Sequence, residues 1–114
     1  MGKYFNRLIT SADKCTILLY GEIGDTEVNA AEIKQEIMQA ESAGKPIEIR
    51  INSFGGEVFT GIAIVQAINE CKGDIRIFID GIAASIASVI AMCGKPLEMG
   101  RYSRLMIHTV STGC

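Results

Sequence analysis

Histidine is all but missing from this chain: His108 is the only one in 114 residues, so any imidazole chemistry rests on that position. The four cysteines, Cys15, Cys71, Cys93 and Cys114, lie far apart and form no Cys-x-x-Cys pair. With only His108 as company they supply no zinc-type ligand set, and they read as reduced thiols inside a cell. A basic stripe is absent as well. Eleven Lys and Arg are scattered among thirteen Asp and Glu, for a net charge of −2 and a pI near 5.3, so nucleic acid is not an expected partner. Residues Met1 to Arg7 contain no apolar signal core, which argues against secretion by that route and for a cytoplasmic location. The longest uncharged run, residues 81–93, is bracketed by Asp80 and Lys95. It falls well short of the roughly 20 residues of a spanning helix, so no membrane segment is expected. Linkers, low-complexity tracts and close repeats are also lacking, and residues 1–114, 48% of them apolar, read as a single domain with enough material for a core.

The apolar residues that are present alternate between two periods. Cys15 to Tyr20 is a short apolar strand ended by Gly21 and Gly24. Asn29 with Glu32 three residues on resembles a capping box, and Ile33, Ile37 and Ala40 mark one face of a helix that ends at Gly44 before Pro46. Ile47, Ile49 and Ile51 alternate with Glu48, Arg50 and Asn52, the period of a strand with one face buried. Val58, Ile62, Val65 and Ile68 then recur at helical spacing from Glu57 to Cys71, with Gly73 closing the segment. Ile75, Ile77 and Ile79 predict a third strand up to Asp80, Ala84 to Cys93 a third helix, and Arg104 to Thr109 a fourth strand. The order β, α, β, α, β, α, β favours an α/β layered fold with largely parallel strands joined by right-handed crossovers.

In open α/β sheets, sites form at the C-terminal edge of the strands, and two segments fall there. One is Gly55-Gly56, where the lack of a Cβ lets a backbone approach a ligand and point N–H groups at it. It lacks the Gly-Lys-Ser/Thr ending of a phosphate loop and the Gly-x-Gly-x-x-Gly of a dinucleotide site, so no cofactor is implied; a plain tight turn is the alternative. The other is Gly81-Ile82-Ala83-Ala84-Ser85, where strand gives way to helix. A serine at such a turn exposes its hydroxyl beside the unpaired first N–H groups of the helix, which suits a nucleophile with an oxyanion site. Ala-Ala-Ser in an apolar run also fits helix packing or an N-cap. His108 could act as general base to a serine, or be a partly buried structural residue of its strand.

Three blocks in order, Ile51 to Val58 (Ile-Asn-Ser-Phe-Gly-Gly-Glu-Val), Gly81 to Ser85, and Ser103 to His108 (Ser-Arg-Leu-Met-Ile-His), resemble the proteolytic subunit of the Clp protease family. The likeness runs from about Thr16 to Thr109. It implies a spiral of ββα units like that family's and the crotonases', with Ser85 as nucleophile and His108 as general base. It further implies Gly56 and Ile86 as backbone oxyanion donors, and a peptide lying extended against Glu57, Val58 and Phe59 and held by their backbone. A polypeptide substrate, a ring-type homo-oligomer and an AAA+ unfoldase partner are implied in the same way, and neither cofactor nor metal.

Phe54 stands where the family usually has Pro, Ile82 where Gln is common, Ile86 where Met is common, and Thr109-Val110 where a polar residue and Pro usually follow. These departures suggest a divergent branch similar to phage prohead peptidases. The family's orienting Asp lies well beyond the His, and no residue up to Cys114 matches it; Asp74 and Asp80 belong to the wrong blocks, so the chain is expected to be a truncated subunit of impaired activity. A non-catalytic assembly subunit and a crotonase-like acyl-CoA enzyme are the alternative readings.

Overall fold

The computed structural model describes residues 8–94 and 96–107. Nine elements follow one another: β1 (Leu8–Thr10), β2 (Cys15–Tyr20), α1 (Ala30–Ala43), β3 (Ile47–Ser53), α2 (Val58–Glu70), β4 (Ile75–Ala84), α3 (Ile86–Ala91), β5 (Leu97–Met99) and β6 (Arg104–Met106). Among the described residues one sheet holds the six strands, in the order β1-β2-β3-β4-β5 with β6 also on β4, and every pairing of these except β1 with β2 is parallel. This is the α/β class with largely parallel strands that the alternation predicts. The short strands β1 and β5 carry too few alternating residues to show in the sequence.

Strand parity decides which face is covered. Cys15, Ile17, Leu19, Ile47, Ile49, Ile51, Ile77 and Ile79 point one way and are buried in a single cluster with Ile33 and Ile37 of α1, Ile64 and Ile68 of α2, and Ile86 and Ile90 of α3. Among the described residues twelve large side chains are almost wholly buried, eleven of them Ile. A β-branched side chain suits a pleated surface sealed by helices. Asn29 caps α1 as the sequence predicts, its Oδ1 accepting the N–H groups of Ala31 and Glu32, and Gly44 ends the helix.

Two expectations need correction. Helix α2 buries Gly61, Ile64, Ala67 and Ile68, whereas Ile62 is half exposed and Val58 and Val65 only partly covered. The core-facing stripe is therefore turned by one position, because its glycine admits the closest neighbour. That helix ends where the spacing puts it, at Cys71, whose N–H donates to Ile68 O in an extended cap two residues before Gly73. Residues 81–84, read as turn and helix start, continue β4, and α3 begins only at Ile86. Thr109 and the end of the fourth strand lie outside the described residues.

Strand β4 runs on because it changes partners. Its first half pairs with β5, Ile77 to Ile79 against Leu97 to Met99, and its last three residues pair with β6, Ile82 to Ala84 against Arg104 to Met106. Between the halves the register against β3 shifts from Ile51↔Ile79 to Ser53↔Ala83, so β4 carries two more residues than β3 over that interval. Asn52 fills the irregularity: its Oδ1 accepts the Ile82 N–H at 3.2 Å and occupies the space a Cβ on Gly81 would need. On the other side, the buried Ser103 Oγ lies 2.8 Å from both Ile79 O and Asp80 O, ready to donate to these carbonyls.

Candidate active site

The register shift sets two residues level. With Ser53 opposite Ala83, two more residues on each strand bring Gly55 beside Ser85. A Cβ on Gly55 would lie 2.8 Å from Ser85 Cβ and 2.9 Å from Ala84 O, and Gly55 has φ +111. Only glycine meets both conditions without strain. Had the register run on unshifted, Gly55 would have stood level with Ala83.

Ser85 is the only non-glycine with positive φ among the described residues, at φ 58 and ψ −130. Such a conformation is disfavoured for an L-residue by about 1–3 kcal/mol and persists only where neighbours over-determine it. The neighbours are visible. Its N–H donates to Met106 O of β6 at 3.2 Å, and its carbonyl accepts both the N–H of Ser88 at 2.9 Å and the Ser88 hydroxyl at 2.5 Å. The Ser85 hydroxyl has no hydrogen-bond partner among the described residues and is half-buried at the sheet edge. Ile86 opens α3, so its N–H has no acceptor one turn back.

Gly56 is exposed and has φ +150. It bridges to Ile23 through its neighbours: Ile23 N–H donates to Gly55 O at 2.9 Å and Glu57 N–H to Ile23 O at 2.8 Å. In this parallel arrangement the Gly56 N–H and C=O point away from Ile23. A Cβ on Gly56 would run into the Ile23 carbonyl. Both residues read as oxyanion donors thus stand at the C-terminal edge with N–H groups outside the ladder and helix bonds.

At Glu57, Val58 and Phe59, against which the resemblance implies an extended peptide, the chain is already turning into helix. Glu57 caps α2, its N–H engaged by Ile23 and its carbonyl by Gly61 N–H at 3.0 Å, while Val58 and Phe59 make the first turn. A helix start so soon after the glycine pair leaves Gly56 as the last extended residue. Phe59 is 85% exposed. A cleft of about 580 Å³ opens between Gly21-Glu22 and the Asn52–Gly56 turn, reaching the glycines without including Ser85. His108, the remaining site residue, lies outside the described residues, and the chain is followed to Ile107, one residue beyond β6.

The open face of the sheet carries charge. Arg50 binds Asp80 through Nε at 2.9 and 3.0 Å and Glu48 at 3.3 Å, with its guanidinium 4.2 Å from the Phe78 ring centre, and Tyr20 donates its hydroxyl to Asp80. Partial burial pulls the Asp80 carboxyl up, but the hydrogen bonds from Arg50 and Tyr20 prevail and hold it below the usual range. Glu48 is likewise drawn up by burial and held low by Lys14 and Arg50. Burial, then the bond to Asp80, raises the Tyr20 phenol. Asp80 is therefore engaged by Arg50 and Tyr20 on the face away from the helices. Among the described residues no three His, Cys, Asp or Glu side chains are grouped to hold a metal ion, and no helix is long and apolar enough to cross a membrane.

Residues that sequence reasoning passed over complete the site: Ser88, Asn52, Ser103 and Gly61. Two left a signal, a glycine inside a helical pattern at 61 and a serine one turn after Ser85.

The family model described as Clp protease matches residues 2–114. The ATP-dependent Clp protease proteolytic subunit of Ligilactobacillus salivarius (strain UCC118) is 37% identical over 95 residues, which are 81% of this chain and 48% of that protein. Proteolytic subunit 1 of Chlamydia muridarum (strain MoPn / Nigg) is 37% identical over 95 residues, 77% of this chain and 48% of that protein. That of Streptococcus mutans serotype c (strain ATCC 700610 / UA159) is 37% identical over 78 residues, 68% and 40% respectively. The chain spans about half the length of the first two relatives and less of the third.

Proposed function

The chain belongs to the Clp protease family, a family of serine peptidases, and from that we propose that it is an endopeptidase subunit hydrolysing peptide bonds through an acyl-enzyme on Ser85. One observation carries the reading: a serine forced to positive φ at a strand-to-helix turn, with a glycine pressed against it, its hydroxyl unengaged among the described residues. A buried packing serine needs neither the strain nor the bare neighbour.

In this reading His108 takes the Ser85 proton as Oγ attacks the scissile carbonyl, and returns it to the leaving amine; water then releases the acyl group by the same path. Strand β6 supports this role, since Met106 O already binds Ser85 N–H two residues before His108. The Gly56 and Ile86 N–H groups receive the developing oxyanion. The polypeptide substrate passes along Gly56, the cap residue Glu57 and the first-turn residues Val58 and Phe59.

Phe59, Ile62, Val89 and Met92 leave apolar surface on α2 and α3, which favours self-association into the ring-type homo-oligomer that the family implies, with an AAA+ unfoldase as partner and the cytoplasm as location. No residue of 1–114 is assigned to orient His108. Losing that group lowers turnover by about 10⁴-fold in triad enzymes, so weak turnover is the expected property of residues 1–114. A fluorophosphonate probe tests the reading: Ser85 Oγ displaces fluoride from phosphorus while His108 accepts the proton. Labelling abolished in S85A and strongly slowed in H108A is expected; absence of Ser85-dependent labelling, with a folded protein, favours the assembly-subunit reading instead.

A further inference from the structure

The two proposed oxyanion donors belong to different elements, yet one helix touches both. Gly56 stands two residues before α2, and Gly61 lies in the first turn of the same helix. Gly61 is buried against α3: a Cβ built there would overlap Ile86 Cγ1 and sit 3.3 Å from Ile86 Cβ and Cδ1. Ile86 is itself 3% exposed. Glycine inside a helix is disfavoured relative to alanine, so a seat this close has a cost in local stability that a looser contact avoids.

We infer that Gly61 is a positioning residue for the reaction: by seating the Ile86 side chain it fixes the Ile86 N–H relative to that of Gly56, with the start of α2 as the spacer between the two donors. The inference rests on the peptidase reading above. Its physical basis is short. Ile86 carries donor and side chain on one Cα, at the first position of a six-residue helix. Gly61 N–H is tied to Glu57 O at 3.0 Å, and Glu57 N–H to Ile23 O at 2.8 Å. The seat and Gly56 are thereby held to one another through a five-residue span, and a methyl on Gly61 pushes against Ile86 while Gly56 stays pinned at Ile23. Preorganised donors lose much of their effect when displaced by about 1 Å, on the order of 10²-fold in rate.

The test is a two-residue cycle on the full chain: Gly61→Ala, Ile86→Ala and the double variant. Three quantities are read: the rate of Ser85 labelling by a peptidyl fluorophosphonate, affinity for a peptide boronate whose tetrahedral adduct needs the oxyanion site, and affinity for the same peptide as an unreactive amide. Gly61→Ala is expected to slow labelling at least tenfold and to weaken the boronate similarly, with the amide unchanged. Ile86→Ala empties the seat and slows labelling too, and the double variant, methyl against methyl, recovers most of the rate. Equal loss of boronate and amide, wild-type labelling by Gly61→Ala, or no recovery in the double variant overturns the inference. Should Gly61→Ala fail to fold, the double variant labelling no faster than Ile86→Ala overturns it as well. Absence of Ser85-dependent labelling in the unchanged protein is a different result, which removes the peptidase reading and this inference together.

Discussion

Gly55 and Ser85 face each other across the end of the sheet so closely that a methyl group on the glycine would lie 2.8 Å from the serine Cβ. Gly55→Ala therefore combines a clash with a positive φ of 111, and is expected to lower stability by about 2–3 kcal/mol. The urea midpoint measures the loss. Fluorophosphonate labelling of the folded fraction is expected to fall further than stability alone predicts, because relief of the clash moves Ser85.

Ser88 holds the Ser85 carbonyl with both its N–H and its hydroxyl. Ser88→Ala keeps the first bond and removes the second, for an expected loss of about 1 kcal/mol. Thermal unfolding detects it. Labelling of Ser85 should slow by several-fold, since the strained turn then has one anchor fewer.

On the open face, stability should form a plateau in pH. Asp80 and Glu48 are held below their ordinary values, so their contribution is full above the usual carboxylate range and is lost as pH falls through their lowered values. Tyr20 is raised; its contribution is full below about pH 10 and disappears as pH rises through its folded value. Asp80→Asn should reduce stability at neutral pH by roughly 1–2 kcal/mol and flatten the acid limb. Denaturant midpoints measured across pH on both proteins decide it, and an unaltered acid limb would count against the network.

The turned stripe of α2 separates two isoleucines of identical chemistry. Ile64 is fully buried and Ile62 is 49% exposed, so Ile64→Ala should lose about 2–5 kcal/mol, and Ile62→Ala far less. The pattern of Val58, Ile62, Val65 and Ile68 would have ranked them the other way.

That reversal shows what a sequence of this kind makes legible. The alternation of Ile47, Ile49 and Ile51, and of Ile75, Ile77 and Ile79, leaves one solution for which face is buried, and Asn29 marks the start of α1 through a bond that only a short polar side chain makes. Helix facing is less determined, because α2 is apolar almost all round and the deciding fact is the Ile86 side chain that fills the space over Gly61, a property of its neighbour. The boundary at Ala84 was hidden for a related reason. Residues 82–84 are strand only because β6, distant in the sequence, pairs with them. At the site, Ser85 and Gly56 could be read as residue types in the right places; that Gly55 is the one touching Ser85 depends on the register shift, which no local pattern announces.

The two extra residues of β4 between its pairings at Ile79 and Ala83 have a further consequence, which lies in their even number. Were the two strands to pair through this interval without the shift, with all residues kept, every inward side chain would stay inward and every outward one outward, so the hydrophobic pattern would still be satisfied. Gly55 would then meet Ala83, two positions short of the nucleophile. Foldability and competence are thus specified by different quantities in this segment, parity for the first and register for the second, and a slip of two offers a way to lose the chemistry while keeping the scaffold.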